Sequence, residues 1–226
     1  MTCVSQQAFD TEIFGLPFHR VVDLDEAGLE RELPPLLRRK PIMIDAKVPA
    51  SRSDLARLLI GLGFRAVCTQ VELIHDLAKL PATTARVDIG PRVDFDGATL
   101  RAHLRNFRAD RFARDPLIVQ AEHDKLYERW IGNSLSGRMQ IATAGRNFCT
   151  FKPERNGLVI DLLSILDKRQ GIGRDLVCAV LGEAVRQRKQ SVAVVTECGN
   201  EAAWRLYLGG GFRIDGFIDC LHFVSR

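Results

Sequence analysis

The stretch that decides the fold runs from Leu158 to Lys189 and reads LVIDLLSILDKRQGIGRDLVCAVLGEAVRQRK. Its first part, Leu158 to Leu166, is too apolar to alternate and predicts a strand buried on both faces. From Arg174 onward, Leu176, Val177, Val180, Leu181, Ala184 and Val185 recur at three- and four-residue spacing. A helix therefore follows, with Arg186, Arg188 and Lys189 where cations suit its C-terminal dipole. Between strand and helix sits Gln170-Gly171-Ile172-Gly173-Arg174. Two glycines let the backbone approach a ligand closely, and the unpaired N–H groups of a helix start point outward with the positive end of the dipole behind them. Such a loop is either a pyrophosphate cradle or a plain tight turn.

Two nucleotide-binding patterns do not fit. Position 176 is Leu, so no third glycine completes a Gly-x-Gly-x-x-Gly, and no Lys-Ser/Thr pair follows for a P-loop. The loop instead resembles the coenzyme A site of the GCN5-related N-acetyltransferases, whose pattern is Arg/Gln-x-x-Gly-x-Gly/Ala. Lys168 stands where Arg or Gln is usual. Backbone N–H groups are the main phosphate ligands in such a cradle, so the departure is mild. The resemblance implies that Gln170, Gly171, Ile172, Gly173 and Arg174 bind acetyl-CoA.

At 226 residues and 46% apolar, the chain can bury a sizeable core as one long domain or two small ones. The opening MTCVSQQAFD lacks a basic start and apolar run, and no segment approaches eighteen uninterrupted apolar residues. A cytoplasmic protein without a membrane partner is the expectation. Cysteines at 3, 68, 149, 178, 198 and 220 show no Cys-x-x-Cys and no Cys/His spacing suited to zinc, so reduced core residues and no metal are expected. A net charge of +4 is small for this length; it argues against nucleic acid and suits an anionic small substrate.

An internal repeat divides the chain. Arg57 to Arg65 (RLLIGLGFR) lies over Arg205 to Arg213 (RLYLGGGFR), 148 positions on. Apolar runs flank both: Ile42 to Ala46 and Val192 to Thr196 before, Val67 to Leu73 and Ile218 to Val224 after. Each copy reads strand, helix, Gly-Phe turn, strand. Two related lobes are predicted, 1–80 and 81–226, with the break near Pro81-Ala82-Thr83-Thr84. Features shared by both copies, Gly63/Gly211 and Phe64/Phe212, belong to the scaffold. Tyr207 faces Leu59, and no glycine loop precedes the first copy's helix, so chemistry is expected in the second lobe.

That lobe has a recognisable order. Asp96 to Phe107 predicts a helix with Asp94 or Asp96 as N-cap, and Ala121 to Leu135 a second with Leu126, Trp130 and Ile131 as its stripe. Met139 to Ala144 and Phe148 to Phe151 flank Gly145-Arg146-Asn147, a hairpin signal. A helix capped by Asn200 closes the series at Gly209. Helix, helix, three antiparallel strands, helix, strand, helix, strand is the order of the GCN5-related fold. The predicted class is thus α/β (α+β), a central mixed, mostly antiparallel sheet preceded by a smaller lobe resembling half of that fold.

Acyl transfer from a thioester to an amine needs an uncharged amine, stabilisation of the oxyanion and a proton for the departing thiolate. Parallel neighbours that diverge, Leu158–Leu166 and Val192–Thr196, would free backbone groups for the pantetheine amides, with N–H groups near Leu163, Ser164 and Ile165 open to the oxyanion. Tyr207 lies two turns beyond Asn200 in one helix, so both can face the cofactor slot. Its phenol is a reasonable donor to the thiolate, or a packed side chain that caps a strand. Asn200 is a helix N-cap even if it also touches coenzyme A. Glu197 is either the group that receives the amine proton or a solvated carboxylate; Glu72 is a weaker candidate. The five histidines form no motif.

Two stretches exceed what a scaffold requires. Asp10 to Phe18 places two aromatics and a Gly-Leu-Pro turn near the start. The segment 101–116 holds five arginines; 101, 105 and 108 share a helical face, whereas Arg111 and Arg114 fall in a predicted loop beside Phe112, suited to phosphate. Here the resemblance becomes specific. Phe14-Gly15, Ala46-Lys47-Val48-Pro49-Ala50, Arg111-Phe112 leading to Trp130-Ile131, and Gly199-Asn200-x-x-Ala203 with Tyr207 resemble the dTDP-fucosamine N-acetyltransferases over nearly the whole chain. The resemblance implies acetyl-CoA, a nucleotide-linked amino sugar, Tyr207 as proton donor, and Phe14, Arg111 and Phe112 as acceptor-binding candidates. The sugar itself does not carry over.

The expected activity is that of an acetyl-CoA-dependent N-acetyltransferase acting on the primary amine of a small acceptor. The alternatives are another amine (amino acid, polyamine, antibiotic or protein) or a non-catalytic acyl-CoA-binding module. The oligomeric state stays open, a homodimer being one outcome.

Overall fold

The computed structural model describes residues 2–81 and 87–226, with ten strands of mixed direction and eight helices among them. Ala82, Thr83 and Thr84, where the lobe break was expected, lie outside the described residues. By compactness the chain divides into two units that do not follow a cut at residue 80. The first holds Met1–Gln70, Ala109–Leu126 and Gly216–Arg226; the second holds Val71–Arg108 and Tyr127–Asp215.

In the first unit, β1 (Val4–Gln6) pairs antiparallel with β2 (Phe18–Val21), and β2 runs parallel to β3 (Ile42–Pro49). β3 in turn lies antiparallel to the later part of β10 (Arg213–Ser225), Ile42 opposite Ser225 and Pro49 opposite Ile218. Period-2 alternation gives β3 two unlike faces. Ile44, Ala46 and Val48 point into a core with Leu29 and Leu33 of α2 (Glu26–Leu37) and Leu55 and Leu59 of α3 (Ser53–Gly61). Met43, Asp45 and Lys47 occupy the other face. α1 (Ala8–Phe14), with Gly15 as its left-handed cap, and the single turn α5 (Arg111–Arg114) also belong to this unit. Arg111 and Arg114 thus sit on a short helix capped by Asp110, where a loop was expected.

In the second unit, β5 (Asp88–Arg92), β6 (Ser136–Ala144), β7 (Asn147–Glu154) and β8 (Gly157–Ser164) pair antiparallel in succession, and β8 is parallel to β9 (Ser191–Glu197). Leu176, Val177, Val180, Leu181 and Ala184 of α7 (Ile172–Arg186) are buried against Leu158 and Ile160 of β8 and Val192 and Val194 of β9. Val185, expected on that stripe, is 47% exposed, because its position turns past the face the sheet covers. β8 was expected to be buried throughout; its residues alternate between buried and half-buried. α4 (Gly97–Leu104) starts at Asp96, whose carboxylate accepts from the Thr99 N–H at 2.7 Å, so Asp96 rather than Asp94 is the cap. α6 (Gln120–Leu135), whose residues from Tyr127 on belong to this unit, starts one residue before its expected span, and α8 (Glu201–Gly209) ends at the second Gly-Phe turn.

The repeat is longer than the sequence shows. β1-α1-β2-α2-β3-α3-β4, with β4 spanning Arg65–His75, recurs as β7-β8-α7-β9-α8-β10, α1 standing where the second copy has a turn, with the antiparallel and then parallel pairings in the same places. The turns coincide in detail. Phe64 N–H donates to Leu59 C=O and Phe212 N–H to Tyr207 C=O, each at 3.0 Å, with Gly63 and Gly211 at φ of 94° and 92°. Only glycine takes that backbone without strain, which explains its place in both copies.

Candidate active site

The helix α7 begins without a side-chain cap. Gly171 is its N-cap at φ 79°, and the first intrahelical bond runs from Asp175 N–H to Gly171 C=O at 3.2 Å. The N–H groups of Ile172, Gly173 and Arg174 precede that bond and point out of the helix start. Arg169, at φ 64°, joins Gly171 in the left-handed region, so the loop curls as anion-binding nests do. The two glycines have different duties. A Cβ on Gly171 would meet nothing within 4 Å, so its left-handed backbone and the open space before it are what glycine secures. A Cβ on Gly173 would stand 3.4 Å from Leu206 Cδ2 and 3.6 Å from Ile165 Cγ1, so here glycine lets α8 and the end of β8 close on the helix.

β8 and β9 part where the thioester slot was predicted. Their pairing ends at Ile160 opposite Val194, yet the strands run on to Ser164 and Glu197. β7 holds the other edge of β8 as far as Ser164, across a bulge at Asp161. Leu162 N–H turns toward β7, donating to Thr150 Oγ1 at 3.1 Å, so by alternation Leu163 N–H turns to the parted side. Ser164 is held from the other face: its Oγ lies 2.7 Å from His103 Nδ1 and accepts from Asn106 Nδ2 at 3.0 Å. Asn106 also donates to Ile165 C=O at 3.1 Å.

On α8, Asn200 is the helix cap. Its Oδ1 accepts from Ala203 N–H at 3.3 Å and its Nδ2 donates to Thr196 Oγ1 at 3.2 Å. Tyr207 is 3% exposed and packs on Phe212 at 5.4 Å between ring centres. Burial pushes its phenol well above the ordinary value, and the Cys149 thiol acts in the same sense. Glu197 closes β9, half-buried, its C=O accepting from Asn200 N–H at 2.9 Å and from Trp204 Nε1 at 3.3 Å.

The acceptor candidates Phe14, Phe112 and Arg111 come together in the first unit. Phe14 lies 5.5 Å from Phe112 and 5.4 Å from Phe18, and the Arg111 guanidinium sits 4.2 Å over the Phe112 ring. Both phenylalanines are buried, and Arg111 is ion-paired with the buried Asp45 at 3.2 Å, which also takes Arg20 at 2.9 Å. Lys47 shares this face and has no ion pair among the described residues; burial, then the Arg111 charge, pulls its ammonium below the ordinary value. No group of three or more metal-ligating side chains occurs among the described residues.

No protein-family model matches the chain, and no curated protein is significantly similar to it in sequence. Solved structures are similar in architecture. A GCN5-related N-acetyltransferase from Sphaerobacter thermophilus gives a TM-score of 0.63 at 15% identity, covering 99% of this chain and 76% of that one. One from Kribbella flavida gives 0.62 at 14% identity, covering 98% and 86%. The chain has the GCN5-related N-acetyltransferase fold. A tandem protein of this kind from the clavulanic acid biosynthesis pathway, without acetyl-CoA, gives 0.57 at 15% identity over 94% of this chain and 76% of that one.

Within the GCN5-related N-acetyltransferase fold, three residues escaped sequence reasoning. Asn147, expected only as a turn residue, is wholly buried; its Oδ1 accepts from Leu166 and Asp167 N–H at 2.8 and 3.1 Å, and its Nδ2 donates to Ala144 C=O and Asp167 Oδ2. It ties the loop that leads to Gly171 onto the β6-β7 turn. His103 forms no motif, and sequence spacing carries no hint of its contact with Ser164. Asp161 was lost in an apolar run, though a lone carboxylate within such a run was the available signal.

Proposed function

We propose that the chain transfers the acetyl group of acetyl-CoA to the primary amine of a small acceptor. One observation carries this reading. The two copies of the repeat start equivalent helices differently: α2 is closed by Asp25, whose carboxylate accepts from Gly28 N–H at 2.9 Å, whereas α7 is left open at Gly171, beside strands that part. A pyrophosphate supplies the acceptors the open N–H groups lack, and the pantetheine arm enters between β8 and β9. Leu163 N–H then faces the carbonyl oxygen that becomes anionic as the amine adds, and preorganised donors of this type contribute on the order of 3 kcal/mol each. Tyr207 stands in the same unit as the donor to the leaving thiolate. No metal takes part.

On this reading the acceptor is a nucleotide-linked amino sugar, its sugar left open. Two features support an anionic acceptor: the motif resemblance across both lobes, and the cluster in which Arg20, Arg111 and Lys47 outnumber Asp10 and Asp45. The first lobe, 1–80 with the segments that pack on it, shapes acceptor binding and takes no coenzyme A. The setting is cytoplasmic, and neither membrane nor nucleic acid is a partner; among the described residues no helix is long and apolar enough to cross a membrane. Calorimetry with coenzyme A, followed by thiol release across amines including dTDP-amino sugars, tests the reading. Binding with transfer to a sugar amine supports it in full. Transfer only to amino acids, polyamines or protein amines keeps the chemistry and changes the acceptor. The burial of Tyr207 favours a second reading, a non-catalytic acyl-CoA-binding module, which coenzyme A binding without turnover on any amine would establish.

A further inference from the structure

The bulge in β8 places a carboxylate where the strands part. Phe151 pairs with Ile160 and Thr150 with Leu162, so Asp161 is the extra residue, one position beyond the last β8-β9 pair at Ile160. Without it, alternation would carry Leu162 onto the face that packs on α7. With it, Ile160 and Leu163 pack on that side and Asp161 turns away, toward α6. There its Oδ2 accepts from Trp130 Nε1 at 2.9 Å and from Ser134 Oγ at 3.5 Å. From β7, Lys152 and the Cys149 thiol are the titratable groups that face it. Burial raises its carboxyl above the ordinary range; the Trp130 bond, the Lys152 charge and the Ser134 bond offset only part of this.

A carboxylate kept in an apolar strand, held by two donors from one side, is costly to retain as scaffold.

We propose that Asp161 is the base that takes the proton from the acceptor's ammonium group. The proposal rests on the transfer reading and names the residue that reading leaves open. One proton passes from the ammonium to the Asp161 carboxylate, and the freed lone pair forms the C–N bond at the thioester carbonyl. The C–S bond then breaks, and the thiolate leaves with its electron pair to be protonated by Tyr207. One of the adduct's two N–H protons passes to water, and the other stays on the amide nitrogen.

Asp161→Asn keeps the volume and an oxygen for Trp130. Coenzyme A affinity should be unchanged by calorimetry, while kcat on the best wild-type acceptor falls by roughly 10²- to 10⁴-fold. A second variant separates base from scaffold. Trp130→Phe removes a donor to the carboxylate, so the acid limb of kcat/KM should move to higher pH. Normal turnover in Asp161→Asn, or an unmoved acid limb in Trp130→Phe, overturns the assignment. A wild-type chain that acetylates no amine overturns the transfer reading, and this proposal with it.

Discussion

Gly171 and Asp25 cap equivalent helices of the repeat and do opposite things there. Asp25 closes α2 with its own carboxylate, and Asp23 and Glu26 add negative charge at the same end. Gly171 brings no side chain and leaves α7 open. A helix N-terminus attracts phosphate through its free N–H groups and its dipole. A carboxylate already seated there supplies the first and screens the second, so on the proposed reading the repeat holds one phosphate site and one sealed counterpart.

Coenzyme A should therefore bind once per chain, a stoichiometry that calorimetry reads directly. Gly171→Val forces a β-branched residue to φ 79° and puts its side chain into the space before the N–H groups. The left-handed backbone costs about 1–2 kcal/mol of stability, and affinity for acetyl-CoA should fall at least about tenfold. Two equivalent sites, or unchanged affinity in a folded Gly171→Val chain, would remove the cradle from the account.

Asn147→Ala cuts the loop from the β6-β7 turn. The Leu166 and Asp167 N–H groups lose their acceptor, at about 1–3 kcal/mol for each donor left buried and unpaired. Urea unfolding should show that loss, and coenzyme A affinity should drop with it because the approach to Gly171 is no longer fixed. Asn147→Asp keeps the acceptor oxygen and should retain more of both.

Much of this was legible in the sequence because it is local. The Leu158–Lys189 strand, loop and helix, the Gly145 hairpin and both Gly-Phe turns are set by residues within a few positions of one another. The first copy's β1 and β2 went unseen because three and four residues carry too little period to read. The segments 109–126 and 216–226 join the first unit through contacts such as His222 Nδ1 with Asp115 Oδ2 at 3.0 Å, across 107 positions, which no pattern of spacing announces. Asp161 acquires its partners only through a bulge, and one inserted residue inverts every face beyond it.

Asp161 also predicts a pH dependence of stability. Its folded-state carboxyl is raised above the unfolded value, so the folded chain holds that proton more tightly. The contribution is present below the unfolded value near 3.9 and is lost as pH rises through the folded one. Asp161→Asn should therefore raise Tm at pH 7 and leave it unchanged below about pH 4. A gain in stability alongside a loss of turnover is the pattern of a residue kept for chemistry. A lower Tm at pH 7 would make it scaffold.

Tyr207→Phe removes one hydroxyl from a packed side chain, so the fold and acetyl-CoA binding should persist. Turnover should fall by roughly 10²- to 10⁴-fold if the phenol supplies the proton to the thiolate. The sequence alone would place its titration near the ordinary phenol value of about 10 and ask the alkaline limb of the rate profile to change. Burial alters that expectation. With the phenol held far above its ordinary value, Tyr207 stays protonated through the whole working range and contributes no alkaline limb. The wild-type and Phe profiles should then differ in height and share their shape at high pH. Equal turnover would return Tyr207 to the core that Phe212 and the α7 face already form, and the proton would have to come from water.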